Sequence, residues 1–91
     1  MIHSVLLYVE QPTYGTDETL NWNPFLEKAG IITRSSVETE RLGESCWLIV
    51  LRSDLGSFAS LVHEVQDHKL RYRVLFLEEQ PDWIRPSTIT E

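Results

Sequence analysis

The fold is decided first by the stretch Ile2-His3-Ser4-Val5-Leu6-Leu7-Tyr8-Val9, which has the composition of a strand but is apolar on both faces. The apolar even positions are Ile2, Leu6 and Tyr8, and the apolar odd positions are Val5, Leu7 and Val9. The run Cys46-Trp47-Leu48-Ile49-Val50-Leu51 has the same property. Because helices cover one side of a small sheet, these runs predict a further layer on its other side, either a second copy of the chain or a partner.

The segment after the first strand predicts a helix whose start is ambiguous. A helix from Asp17 to Ala29 would contain Pro24, which removes the hydrogen bond to Leu20 and kinks the helix. The alternative is a long loop followed by a short helix from Asn23, with Pro24 at its first position. In this second reading Gly30 ends the helix.

The remaining strands and the second helix follow in a regular order. Residues 31–41 form the most polar strand candidate and therefore predict an edge strand, which a turn at Leu42-Gly43-Glu44 joins to an interior strand over 45–52. Asp54 is a suitable cap for a helix that runs to about His68. A last strand is expected over 70–79, before Pro81.

This order of strand, helix, strand, strand, helix, strand predicts an α+β fold of the ferredoxin-like βαββαβ type. Right-handed crossovers then give a four-stranded antiparallel sheet with two helices on one face, and the first and third strands lie at its centre. We expect a single domain over residues 1–80 and an extended C-terminal tail over 81–91. Leu75 and Leu77 are too apolar for a free edge strand, so we expect the second sheet face to be buried by dimerisation.

Composition excludes several classes of function. A net charge of −6 disfavours binding to nucleic acid, and no apolar stretch is long enough for a membrane span. The single cysteine, Cys46, cannot form an intramolecular disulfide, and we expect a buried structural thiol in a cytoplasmic protein. His63 and His68 are separated by roughly 140° around a helix, so no metal site is predicted, and no cofactor motif is present.

Candidate site residues fall into three groups. Aromatic residues and one histidine that would line a ligand pocket are Tyr8, Tyr14, Trp22 and His63. Residues suited to an interface between subunits are Trp47, Leu75, Leu77 and Trp83. Trp47 is also suited to the core, and packing of Trp83 onto its own domain is the alternative for that residue. Arg71 and Arg73 share one face of the last strand, where they would hold a carboxylate or a phosphate, or else form its polar end.

The element order is similar to that of several dimeric ferredoxin-like families, among them the ACT regulatory domains and the cofactor-free monooxygenases of the dimeric α+β barrel class. No functional residue is carried over, because the likeness lies in element order alone. We expect a self-associating binding or regulatory module without catalytic activity, with a protein or a small effector as ligand. The alternative is a small cofactor-free enzyme that acts on an apolar or aromatic substrate, with His3 or His63 moving a proton.

Overall fold

The computed structural model describes residues 2–12 and 19–80. Its elements in chain order are β1 (Ser4–Val9), α1 (Thr19–Ser35), β2 (Thr39–Arg41), β3 (Cys46–Val50), α2 (Leu51–Asp67) and β4 (Tyr72–Leu77). The sheet has the strand order β2-β3-β1-β4, and every neighbouring pair is antiparallel. This confirms the predicted ferredoxin-like α+β fold, with β1 and β3 at the centre and β2 and β4 at the edges.

The core lies between one face of the sheet and both helices. On β1, the odd residues Val5, Leu7 and Val9 are fully buried. Residues opposite each other in the register share a face, so Ile49 and Trp47 of β3 join them. The helices contribute the buried side chains Trp22, Phe25, Ala29, Leu61 and Val65.

Helix α1 is longer than predicted. The expected version that passes through Pro24 is confirmed in that respect but wrong in its end at Ala29, and the version with a long loop and a short helix from Asn23 is wrong. The helix begins at Thr19, contains Pro24, and continues through Gly30 to Ser35. The reason is a helical stripe of apolar residues at spacings of three and four, formed by Trp22, Phe25, Ala29 and Ile32. Burial of this stripe outweighs the local helix-breaking tendency of proline and glycine.

The strand expected over residues 31–41 is correspondingly short, since only Thr39–Arg41 pairs with β3. The β-branched residues before it belong to the last turns of α1. There the Thr33 hydroxyl donates a hydrogen bond to the Ala29 carbonyl oxygen at 2.8 Å. The predicted position at the sheet edge and the hairpin to β3 are confirmed.

Helix α2 starts at Leu51, directly after β3 and three residues before the predicted cap Asp54, and a break at Asp54 separates this first turn from the main part of the helix. The backbone at Asp54 leaves the helical conformation, with φ −129° and ψ 31°. Its carboxylate accepts hydrogen bonds from the Val37 N–H at 3.0 Å, from the Glu38 N–H, and from the Thr39 hydroxyl at 3.0 Å. Asp54 therefore ties the first turns of α2 to the segment that leads into β2.

Candidate functional site

The face of the sheet that the helices leave uncovered carries a row of apolar side chains. We call it the open sheet face, and its apolar members are Leu6, Tyr8, Leu48, Val50, Leu75 and Leu77. Leu6 lies opposite both Leu48 and Leu75, so three adjacent strands each contribute a leucine. Leu48 is buried, whereas Tyr8 and Leu75 are 43% and 57% exposed. Apolar exposure on this face is therefore concentrated on β1 and β4.

A polar cleft of about 400 Å³ borders the open sheet face near the start of β1. His3 lines it together with Glu38 and Glu40, and the neighbouring Ser4 borders it without any exposed surface. The His3 Nδ1 atom lies 3.0 Å from the Ser4 hydroxyl oxygen. Ser4 is fully buried, so its hydroxyl has no access to a substrate, and this pair does not form a nucleophile with its base.

A second apolar feature lies between α2 and the edge strand β4. This α2–β4 groove has a volume of about 620 Å³, and its apolar walls are formed by Leu55, Phe58, Ala59, Val62, Tyr72, Val74 and Phe76. Phe76 is 51% exposed, because α2 does not reach over the edge of the sheet. At one end of the groove the Gln66 side-chain amide donates a hydrogen bond to the Tyr72 hydroxyl oxygen at 3.2 Å.

The structure does not bring the predicted pocket residues together. Tyr8 lies on the open sheet face, whereas Trp22 is buried on the opposite side of the sheet with its ring 5.8 Å from that of Phe25. His63 is exposed on α2 and borders the α2–β4 groove. Tyr14 lies outside the described residues.

The predicted interface residues also have different surroundings. Leu75 and Leu77 lie on the open sheet face, as the register with β1 requires. Trp47 is buried beneath the helices, where its ring stands edge-on to Phe25 at 5.8 Å and under the Arg41 guanidinium at 5.5 Å. It contributes to the core of one chain, and Trp83 lies outside the described residues.

Arg71 and Arg73 point toward the same side of the sheet, as their spacing predicts. Arg73 is exposed and lies opposite Tyr8 in the register. The Arg71 side chain is 78% exposed, and one of its guanidinium nitrogens is 3.9 Å from a carboxylate oxygen of Glu10. This nearby carboxylate weakens the attraction that the pair would exert on an anion.

Two further groups bear on chemistry. Cys46 is a free, partly buried cysteine at the start of β3, and burial raises the pKa of its thiol despite a hydrogen bond to the Trp47 backbone. A raised pKa keeps the thiol mostly protonated at neutral pH, which lowers its reactivity.

The second group comprises Glu64, Asp67 and His68 at the end of α2, which sequence reasoning did not single out. Their ligand-type atoms lie within 4.8 Å of one another. The His68 Nδ1 atom already lies 2.8 Å from the Glu64 backbone carbonyl oxygen, so this ring nitrogen is engaged in a hydrogen bond. The sequence signal for this group is the i, i+4 spacing of Glu64 and His68, which brings a His68 ring nitrogen to 3.7 Å from a Glu64 carboxylate oxygen.

The sequence matches no protein-family model and no curated protein. Within residues 2–12 and 19–80, neither helix has the length and apolar character needed to cross a membrane. The candidate surfaces are therefore interpreted from their own geometry.

Proposed function

We propose that this protein is a small self-associating binding or regulatory module without catalytic activity, and that its open sheet face packs against the same face of a second copy. A free thiol at Cys46 is in keeping with a cytoplasmic location, which forms part of the proposal.

The observation that carries the proposal is the exposed apolar surface on adjacent strands of the open sheet face. Tyr8 and Leu75 together leave two large side chains about half exposed, next to the partly buried Leu6 and Leu77. Burial of such a side chain contributes about 1.5–3 kcal/mol. An isologous contact buries each of these residues twice, once in each copy.

The enzyme hypothesis has no comparable support. Tyr8 and Trp22 lie on opposite sides of the sheet, so they do not line one pocket. Among the described residues, the hydroxyl closest to a candidate proton-transfer histidine is that of Ser4, which is fully buried.

Light scattering over a range of concentrations tests the proposal, with the variant Tyr8→Lys beside the wild type. We expect a dimer or larger assembly for the wild type and a lower mass for the variant, since a buried unpaired charge opposes association. Leu20→Lys is the matched control, because Leu20 lies on α1 and is 78% exposed. A monomeric wild type, or equal masses for the wild type and Tyr8→Lys, would reject the open sheet face as the interface.

A further inference from the structure

The outer edge of β4 offers backbone hydrogen-bonding groups to a further strand. The Arg71 carbonyl oxygen accepts from the Glu10 N–H and the Leu77 carbonyl oxygen from the His3 N–H, both at 2.8 Å. Successive residues of an antiparallel strand direct their backbone groups to opposite sides. Tyr72, Val74 and Phe76 therefore direct theirs away from β1, where the described part of the chain supplies no strand.

The same three residues place their side chains in the α2–β4 groove. A strand added at this edge would thus gain main-chain hydrogen bonds and would also place alternate side chains over the groove. This combination is the general basis of recognition by strand addition. An uncovered edge with an apolar flank is otherwise an aggregation hazard.

The charges at the two ends of β4 indicate what kind of strand would pair with its outer edge. Basic residues precede or begin the strand, namely Lys69, Arg71 and Arg73, whereas Glu78 and Glu79 follow its last residue. An antiparallel second copy of β4 would bring the basic end of each strand to the acidic end of the other. The edge is therefore complementary to itself, as an isologous interface requires.

We infer that the outer edge of β4 is a second self-association surface, which pairs antiparallel with β4 of another copy about a two-fold axis at Leu75. In this register Val74 of each copy lies opposite Phe76 of the other, as a hydrogen-bonded pair. Leu75 then lies opposite Leu75 of the other copy. The inference rests on the proposed function only in requiring that the chain self-associates, and it uses a different surface.

Two charge variants test the pairing. The acidic-edge variant carries Arg71→Glu and Arg73→Glu, and the basic-edge variant carries Glu78→Lys and Glu79→Lys. Each alone places like charges at both ends of the paired strands, so we expect association to weaken about tenfold or more. Mixed in equal amounts, the two variants are complementary at both ends, and we expect the wild-type mass to return.

Val74→Pro tests the hydrogen bonding itself. Proline removes the outward N–H, which edge strands tolerate because that group has no role within their own sheet. Val74→Ala is the matched control, since it shortens the same side chain and keeps the N–H. We expect the proline variant to have a lower mass than the alanine variant, with circular dichroism spectra that remain alike.

The outcomes separate this inference from the open-face proposal. Pairing through β4 is supported if each charge variant has a lower mass, if mixing the two restores the wild-type mass, and if Val74→Pro lowers the mass. This holds whatever the effect of Tyr8→Lys. Wild-type masses for all β4 variants would overturn it and leave the open sheet face unaffected. Charge sensitivity without any effect of Val74→Pro would also overturn it, because the charges would then act at another contact. A monomeric wild type would overturn both.

Discussion

Replacing Asp54 with asparagine should destabilise the protein strongly, because its carboxylate is buried and accepts three hydrogen bonds. Asp54 is only 4% exposed. One carboxylate oxygen accepts from the Val37 N–H, and the other accepts from the Glu38 N–H and the Thr39 hydroxyl. Asparagine keeps one acceptor oxygen and turns an amide group toward the remaining donors. At least one partly buried donor then loses its acceptor and faces another donor.

The expected loss of stability follows from the strength of hydrogen bonds to a charged acceptor. Each such bond contributes about 1.5–3 kcal/mol net to the free energy of unfolding. The three bonds share one group and are not additive, so we expect Asp54→Asn to lower the free energy of unfolding by about 2–4 kcal/mol. For a domain of this size that corresponds to a fall in melting temperature of roughly 10–25 °C. Urea unfolding, followed by tryptophan fluorescence at one fixed protein concentration, measures this change in the free energy of unfolding.

The pH dependence gives this prediction a specific signature. Burial alone would raise the pKa of Asp54, but the hydrogen bonds from Val37, Glu38 and Thr39 outweigh it and lower the pKa below its usual value. A carboxylate with a lowered folded-state pKa contributes its full stabilisation above the unfolded pKa of about 3.9 and loses it as the pH falls toward the folded pKa. The difference between wild type and variant should therefore shrink between pH 7 and pH 3.

Asp67→Asn is the control for this experiment, since it makes the same chemical change at an exposed position of the same helix. We expect it to alter the free energy of unfolding by no more than about 0.5 kcal/mol. A loss of less than about 1 kcal/mol for Asp54→Asn, or an equal loss at both pH values, would refute the role given to this carboxylate.

Three further predictions concern the helix end, the open sheet face and the core. Lys69→Gly should raise the free energy of unfolding by about 1 kcal/mol in a urea titration, because Lys69 has a left-handed φ of 58° that glycine adopts without strain. Cys46 lies opposite Tyr8 in the register and therefore on the open sheet face. Its thiol should be labelled faster in Tyr8→Lys than in the wild type, since that face is then uncovered; equal rates at all concentrations would contradict this. Phe25→Ala should cost about 3–5 kcal/mol in unfolding experiments, as Phe25 is fully buried.

The sheet was predictable from the sequence because its signal is carried by neighbouring residues. Strands β1 and β3 are apolar at both parities, and this marked them as central before any register was known. Helix α1 was mispredicted because Pro24 and Gly30 are strong local signals. The competing signal, Trp22 with Phe25 and Ala29, acts through burial against a sheet that lies far away in sequence.

The surfaces were harder to predict than the fold because they too depend on contacts between residues that lie far apart in sequence. Tyr8 and Trp22 are both aromatic and close in sequence, but the sheet separates them, because one lies on a strand and the other on the helix that crosses behind it. Likewise, Trp47 has the composition of an interface residue, and only the register with Leu7 shows that it faces the core. The α2–β4 groove depends on how far α2 reaches across the sheet, which no local pattern specifies.

The two proposed contacts constrain each other geometrically. Packing of one open sheet face on another requires a two-fold axis parallel to the sheet, whereas pairing of two β4 edges requires an axis perpendicular to it. Two isologous contacts whose axes intersect at right angles close into an assembly of four copies, with no unsatisfied interface left over. If both form with intersecting axes, either Tyr8→Lys or Val74→Pro alone should halve the mass, and their combination should give monomers. A wild-type dimer would instead mean that one of the two contacts is absent, and the variant that dissociates it would show which contact is real.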